Sequence, residues 1–185
     1  MTIAPSGISM SVIAPVRPNV EAPALPGEAS SAPPRVPAVK LLLTTFASIA
    51  ALVLLVALGE VSGHLLLIPP MAASMALVAA APQSPLSQPR SVIGGHFIAA
   101  TLGAATGLLS HSIWAAAIAG GLAVGATLLL RMPHSPAAAT AVIATMATAD
   151  QISFVVCSVI AASVLVGFGV LQSRLRGARY PTYWI

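Results

Sequence analysis

The side chains of this chain able to hold or relay a solute are few, and most stand beside prolines. The stretch Arg131-Met132-Pro133-His134-Ser135-Pro136-Ala137-Ala138-Ala139-Thr140 sets an arginine and a histidine before a helix-starting proline and a short apolar run. A weaker echo, Leu65-Leu66-Leu67-Ile68-Pro69-Pro70-Met71-Ala72-Ala73-Ser74, lies 66 residues upstream, from Pro136 back to Pro70. The first turn of a helix has unpaired N–H groups and carries the positive end of the helix dipole. Two such ends entering a bilayer from opposite faces offer a positive potential without a fixed charge. That suits a small anion, which can bind and still leave. Ser74 and Thr140, one turn into each run, add hydroxyl donors on this reading. On the other they bond back to the preceding turn.

His134 has two readings as well. It donates to an anion or relays a proton during anion–proton symport, or it is held by a loop carbonyl at the membrane surface. His96, just after Gly94-Gly95, carries the same pair of readings. The candidate solute-binding set is therefore Pro69, Pro70, Ser74, Gly94, Gly95, His96, His134, Ser135, Pro136 and Thr140. Arg90 and Arg131 are interfacial anchors that snorkel, or they steer anions toward a vestibule. Glu60 and His64, four apart, read as a helix-end ion pair, because a third metal ligand is not in sight. There is no Ser/His/Asp set, carboxylate pair, CxxC or Gly-rich phosphate loop. The chain is expected to be no enzyme and to need neither metal nor cofactor.

The elements that must position these groups are membrane helices. Of 185 residues 57% are hydrophobic and 6% charged, whereas a soluble domain carries about a quarter charged residues. The high isoelectric point reflects a shortage of acids. The eight Lys and Arg are scattered rather than striped along one face, so nucleic-acid binding is set aside. Cys157, the single cysteine, sits in an apolar run and reads as an inert thiol.

Residues 1–39 hold eight of the sixteen prolines and no hydrophobic period, so they read as a disordered cytoplasmic tail. Residues 40–172 form the membrane domain, and 173–185 a basic cytoplasmic tail. Within the domain four uncharged runs approach the roughly 20 residues needed to cross a bilayer. They are Leu41–Leu58, Val92–Leu109, Ile113–Leu130 and Ile152–Leu171. Two shorter runs, Pro70–Ala81 and Pro136–Ala149, would span only about 18 and 21 Å as helices. They need extended approach segments, Leu65–Pro69 and Met132–Ser135. The fold class is all-α: a polytopic membrane helical bundle with four long and two short Pro-led helices. If the short runs cross, Lys40, Arg90, Arg131 and Arg174/Arg176/Arg179 share one side. Glu60, His64, His111 and Asp150 share the other, as the positive-inside rule asks. Six crossings make two long–short–long units, the second inverted against the first, and paired interrupted helices are the best sequence pointer to a transporter's binding site. Gly95, Ala99, Gly103 and Gly107, spaced by four, read as helix packing.

Two motifs carry a resemblance. Ser84-Pro85-Leu86-Ser87-Gln88-Pro89-Arg90-Ser91-Val92-Ile93-Gly94-Gly95-His96 resembles a signature of HPP-family integral membrane proteins. His134-Ser135-Pro136-Ala137-Ala138-Ala139-Thr140-Ala141 is similar to that family's HPPAGATAL block. The resemblance covers residues 40–172, with Ser135 where the family has proline and Ala138 where it has glycine. It implies a domain described as having four membrane helices. It also implies a link to nitrite, because some members are implicated in nitrite transport. Together these readings predict a transporter or channel for a small inorganic anion, possibly as a homo-oligomer, in the lipid bilayer of a bacterial inner (plasma) membrane. The alternative is a membrane scaffold or assembly subunit that transports nothing.

Overall fold

A computed structural model describes residues 35–148, 150–177 and 179–184. Most of the expected N-terminal tail, up to residue 34, therefore lies outside the described residues. Among those residues the fold is all helical: α1 (Ala38–Ser62), α2 (Pro69–Ala80), α3 (Pro89–Gly107), α4 (Ile113–Leu129), α5 (Ser135–Met146) and α6 (Gln151–Leu175). A single 3-10 turn, Pro85–Ser87, joins α2 to α3.

Local chemistry sets the helix ends. α1 stops at Gly63, which takes the left-handed conformation with φ 70°, a conformation that costs glycine nothing. Both short helices carry proline in their first turn, where its missing N–H is no loss. Ser112 caps α4 by accepting from the Ala115 N–H, and Asp150 caps α6 by accepting from the Ser153 N–H. Only α1 and α6, of 25 residues each, are long and apolar enough to cross a membrane by length and composition, each with a mean hydropathy of 2.6. α3 has 19 residues and α4 has 17, against 12 for each Pro-led helix, so the expected four longer and two short helices are present, and two of the four meet both the length and the hydropathy of a span. α3 is less apolar than its neighbours because it carries Arg90 at its start and the buried Gly95, His96, Gly103 and Gly107 along its length.

α3 is the hub and packs on α4, α5 and α6. α2 lies against α1, α5 and α6, and α1 touches α2 and α6. The core is built differently on the two sides. Between α1, α2 and α6 it is filled by Leu55, Met71, Met75 and Leu165. Between α3, α4 and α5 it is almost pure alanine: Ala99, Ala119, Ala123, Ala137 and Ala141. That thin layer lets backbones approach closely. A Cβ added at Gly103 would collide with the Ala141 carbonyl oxygen. Toward the surface, α1 exposes Leu41, Leu42, Phe46, Ile49 and Val53, an apolar face suited to lipid.

Basic residues gather at one end of the bundle. Arg176 donates to the Lys40 carbonyl, joining the end of α6 to the start of α1. Arg90 donates to the Leu130 carbonyl beside Arg131, joining the start of α3 to the end of α4. Where it is described, the basic tail expected over 173–185 packs on the bundle. α6 runs on to Leu175, and the chain beyond folds back as a strap over the loop between α2 and α3. The Tyr180 hydroxyl donates to the Ser87 carbonyl at 2.8 Å, and the Thr182 N–H donates to Gln88 Oε1 at 2.9 Å. The Tyr180 ring packs where α6 has Gly169, since a Cβ there would lie 2.8 Å from ring carbon Cε1.

Candidate functional site

The two short helices are built to one plan. In each, a proline occupies the second helical position and a hydroxyl residue the sixth: Pro70 with Ser74, Pro136 with Thr140. Each is reached through chain without regular structure, residues 65–68 and 132–134. Ile68 and His134, the residues just outside the helices, are extended, with φ −114° and −149°. Ile68, directly before Pro69, thus has the form a following proline requires; His134 is separated from Pro136 by Ser135 and takes its extended form as the residue before the helix.

The heads of these helices meet on a four-residue polar node. Ser74 Oγ lies 2.8 Å from His96 Nε2 and 2.8 Å from His134 Nε2. His96 Nδ1 lies 2.8 Å from Thr140 Oγ1, and His134 Nδ1 lies 2.7 Å from the Leu86 carbonyl oxygen. The two imidazole rings meet edge to face, with centres 4.9 Å apart. Ser74, His96 and Thr140 are fully buried and His134 is 3% exposed. α2, α5 and the 3-10 turn contribute no ionisable side chain of their own.

Hydrogen-bond chemistry fixes where the protons of the uncharged node sit. A carbonyl only accepts, so His134 Nδ1 must carry hydrogen toward Leu86. His134 Nε2 then has a lone pair and takes the Ser74 hydroxyl hydrogen. Ser74 Oγ in turn accepts from His96 Nε2–H, which leaves His96 Nδ1 to accept from Thr140. The hydrogens therefore point one way along the chain Thr140, His96, Ser74, His134, Leu86. The two neutral histidines are opposite tautomers.

Four of the ten residues expected to bind solute, Ser74, His96, His134 and Thr140, come together in this node. Pro69, Pro70 and Pro136 shape the heads around it. Gly94 and Gly95 make room for the approach segment: Cβ atoms there would meet the Met132 sulfur and, at 2.8 Å, His134 Cβ. Ser135 is exposed at the first position of α5, and its hydroxyl takes no part in the node's hydrogen bonds. Arg90 and Arg131 lie at the basic end, Arg131 exposed in a left-handed turn with φ 56°. Glu60 and His64 do not form the expected ion pair, because His64 Nδ1–H is turned to the Ser62 carbonyl at 2.8 Å. Both residues line a surface groove of about 400 Å³ at the end of α1.

Two node-supporting groups escape sequence reasoning. The Leu86 carbonyl is one. The other is Gln88, fully buried, whose amide donates to the Pro82 and Ser84 carbonyls and holds the turn that presents Leu86. Both lie in the Ser84–His96 motif that carries the family resemblance, which marks the loop but not its contacts; Ser84 Oγ accepts from the Leu86 N–H.

With this geometry in hand, comparison with known proteins decides the family. The profile of the HPP transmembrane region matches residues 33–181, most of the chain. The chain belongs to the HPP transmembrane family. It is therefore a membrane protein, and α1 and α6 have the lengths to cross. The HPP chain is also 29% identical over 123 residues to a transmembrane protein of Dictyostelium discoideum, matching 61% of itself. It spans 40% of that relative's length. No solved structure matches it.

Proposed function

We propose that this HPP protein moves a small inorganic anion, nitrite among the candidates, across the membrane through the junction of α2 and α5. The observation that carries the reading is the fully buried cluster of two histidines and two hydroxyls where the short helices meet. Polar and ionisable groups within a membrane domain are costly, and they mark solute or proton paths. Their donors and the paired helix starts suit a negative guest.

On this reading the six helices form an inverted repeat, which the pattern of helix contacts supports. Exchange of α1 with α4, α2 with α5 and α3 with α6 maps the contacts α1–α2, α1–α6 and α2–α6 onto α4–α5, α3–α4 and α3–α5. The paired positions Pro70/Pro136 and Ser74/Thr140 support the same exchange. All six helices then count as crossings, the short ones completed by their approach segments. The basic end, with Lys40, Arg90, Arg131 and Arg176, faces the cytoplasm on the positive-inside rule. A bacterial inner membrane suits this reading. The node is closed on both sides, so passage needs an opening of the junction.

The test is nitrite uptake by vesicles holding the purified full chain, against protein-free vesicles and vesicles holding a Ser74→Ala variant. Uptake above the protein-free leak, reduced in the variant, supports transport; uptake equal to that leak refutes it. One observation favours a second reading. Every node atom is satisfied within the protein, as in a rigid scaffold. That reading calls for a stable membrane partner and no uptake.

A further inference from the structure

We infer that the node takes up one proton together with one monovalent anion, so that the transport proposed above is electroneutral; the inference rests on that reading. Its geometric basis is the convergence of two Nε2 atoms on a single hydroxyl oxygen. Ser74 Oγ is 2.8 Å from each histidine and also 2.8 Å from the Pro70 carbonyl oxygen. In the uncharged node the Ser74 hydrogen points at His134. Place one proton on His134 Nε2 and that nitrogen becomes a donor to Ser74. The serine then accepts from both imidazoles and swings its own hydrogen to the Pro70 carbonyl. One hydrogen reorients and no heavy atom moves; the Ser74–Pro70 contact, which holds no hydrogen in the uncharged node, gains one, and both imidazole contacts to Ser74 keep theirs.

The node holds one proton and no more. A second, on His96 Nδ1, would set two imidazolium rings 4.9 Å apart and turn the nitrogen that accepts from Thr140 into a donor. Two like charges that close in a buried site do not both form.

Among the described residues no counter-ion for the first proton stands beside the node. α2, α4, α5 and the 3-10 turn have no ionisable side chain. On α3, Arg90 is turned to the Leu130 carbonyl, and Arg131 beyond α4 is exposed. On α6, Cys157 lines a groove with Leu58 and His64, and Arg174 is exposed. Of the described carboxylates, Glu60 lines the groove at the end of α1 and Asp150 caps α6, and neither faces the histidines. A buried cation without a partner is strongly unfavourable, and an anion in the same place without a cation is equally so. Each admits the other. Proton and anion enter together with no net charge and leave together, restoring the single neutral hydrogen pattern.

The experiment uses the full chain in nanodiscs with ¹⁵N-labelled histidine, the signals of His64 and His111 being assigned with His64→Gln and His111→Gln variants. At alkaline pH, His96 should appear as the Nε2–H tautomer and His134 as the Nδ1–H tautomer. On acidification one imidazolium should form at the node, at higher pH as sodium nitrite is raised. In vesicles, an inward proton gradient should speed nitrite uptake above the protein-free leak, while a membrane potential of either sign leaves it unchanged. Matching tautomers, a titration indifferent to nitrite, or potential-driven uptake would overturn the inference, and potential-driven uptake would leave the transport reading intact. Nitrite-linked protonation with no uptake above the leak would support paired binding and overturn transport instead.

Discussion

The node makes unequal demands on its two hydroxyls, and this inequality can be measured. Ser74→Ala removes the oxygen on which both histidines converge. It leaves the His96 Nε2–H without an acceptor and the His134 Nε2 lone pair without a donor. Thr140→Val keeps the shape of its side chain and strips one contact, at His96 Nδ1. Hydrogen bonds within membrane proteins average about 0.6 kcal/mol and reach about 1.7 kcal/mol. Two losses against one therefore give about 1–3 kcal/mol for Ser74→Ala and about 0.6–1.7 kcal/mol for Thr140→Val. Serine and alanine differ little in volume, so no cavity term confuses the comparison. The assay is reversible unfolding in mixed micelles on titration with a denaturing detergent, followed by circular dichroism. Both residues bond His96, so the double variant should depart from additivity by more than about 0.5 kcal/mol. A threonine variant as costly as the serine variant, or strictly additive costs, would refute the shared-hub geometry.

Other outcomes can be checked on the same preparation. Gly103→Ala should destabilise by about 1–3 kcal/mol through overpacking against the Ala141 carbonyl. Gly121→Ala, in open space on α4, should instead be neutral or stabilise by up to about 1 kcal/mol; unfolding midpoints decide both. Tyr180→Phe should cost about 0.5–1.5 kcal/mol by leaving the Ser87 carbonyl without its donor. Faster proteolysis of the C-terminal strap would report it. Burial raises the Tyr180 phenol above its ordinary value. The strap's docking is therefore complete below about pH 10 and weakens as pH rises beyond it, visible as a tyrosinate absorbance change that the Phe variant lacks. The hydrogen bond from Ser153 lowers the Asp150 carboxyl below its ordinary value. Capping of α6 thus holds above about pH 3.9 and is lost as pH falls past the folded value; Asp150→Asn, which keeps a capping oxygen, should flatten that dependence in circular dichroism.

Much of this arrangement was legible in the residues, for identifiable reasons. Proline writes its own boundary, so Pro69-Pro70 and Pro136 mark the starts of the two short helices to within a residue, whereas α5 ends at Met146, three residues before the expected Ala149. The same shift of 66 that aligned the prolines aligned Ser74 with Thr140. His96 and His134 stood out because ionisable groups in apolar surroundings are rare. What could not be read was which of these groups touch. Nothing in the spacing said that His96 reaches both hydroxyls, or that a backbone carbonyl at Leu86 ends the chain, because main-chain acceptors leave no mark in a sequence. The strap was missed for a related reason. Tyr180 looked like part of a charged tail, and its seat exists only because α6 happens to carry Gly169 beside it.

The unequal filling of the two sides says where such a bundle can give way. Alanines have no rotamers to exchange, so α3, α4 and α5 either fit or separate as a block. Met71 and Met75, on the other side, can re-thread their long side chains into changed spaces at little cost. Any breathing of the junction should therefore be a displacement of α1 and α2 past a stationary alanine-lined wall. Bulky β-branched residues put in place of those methionines should stiffen the protein without unfolding it.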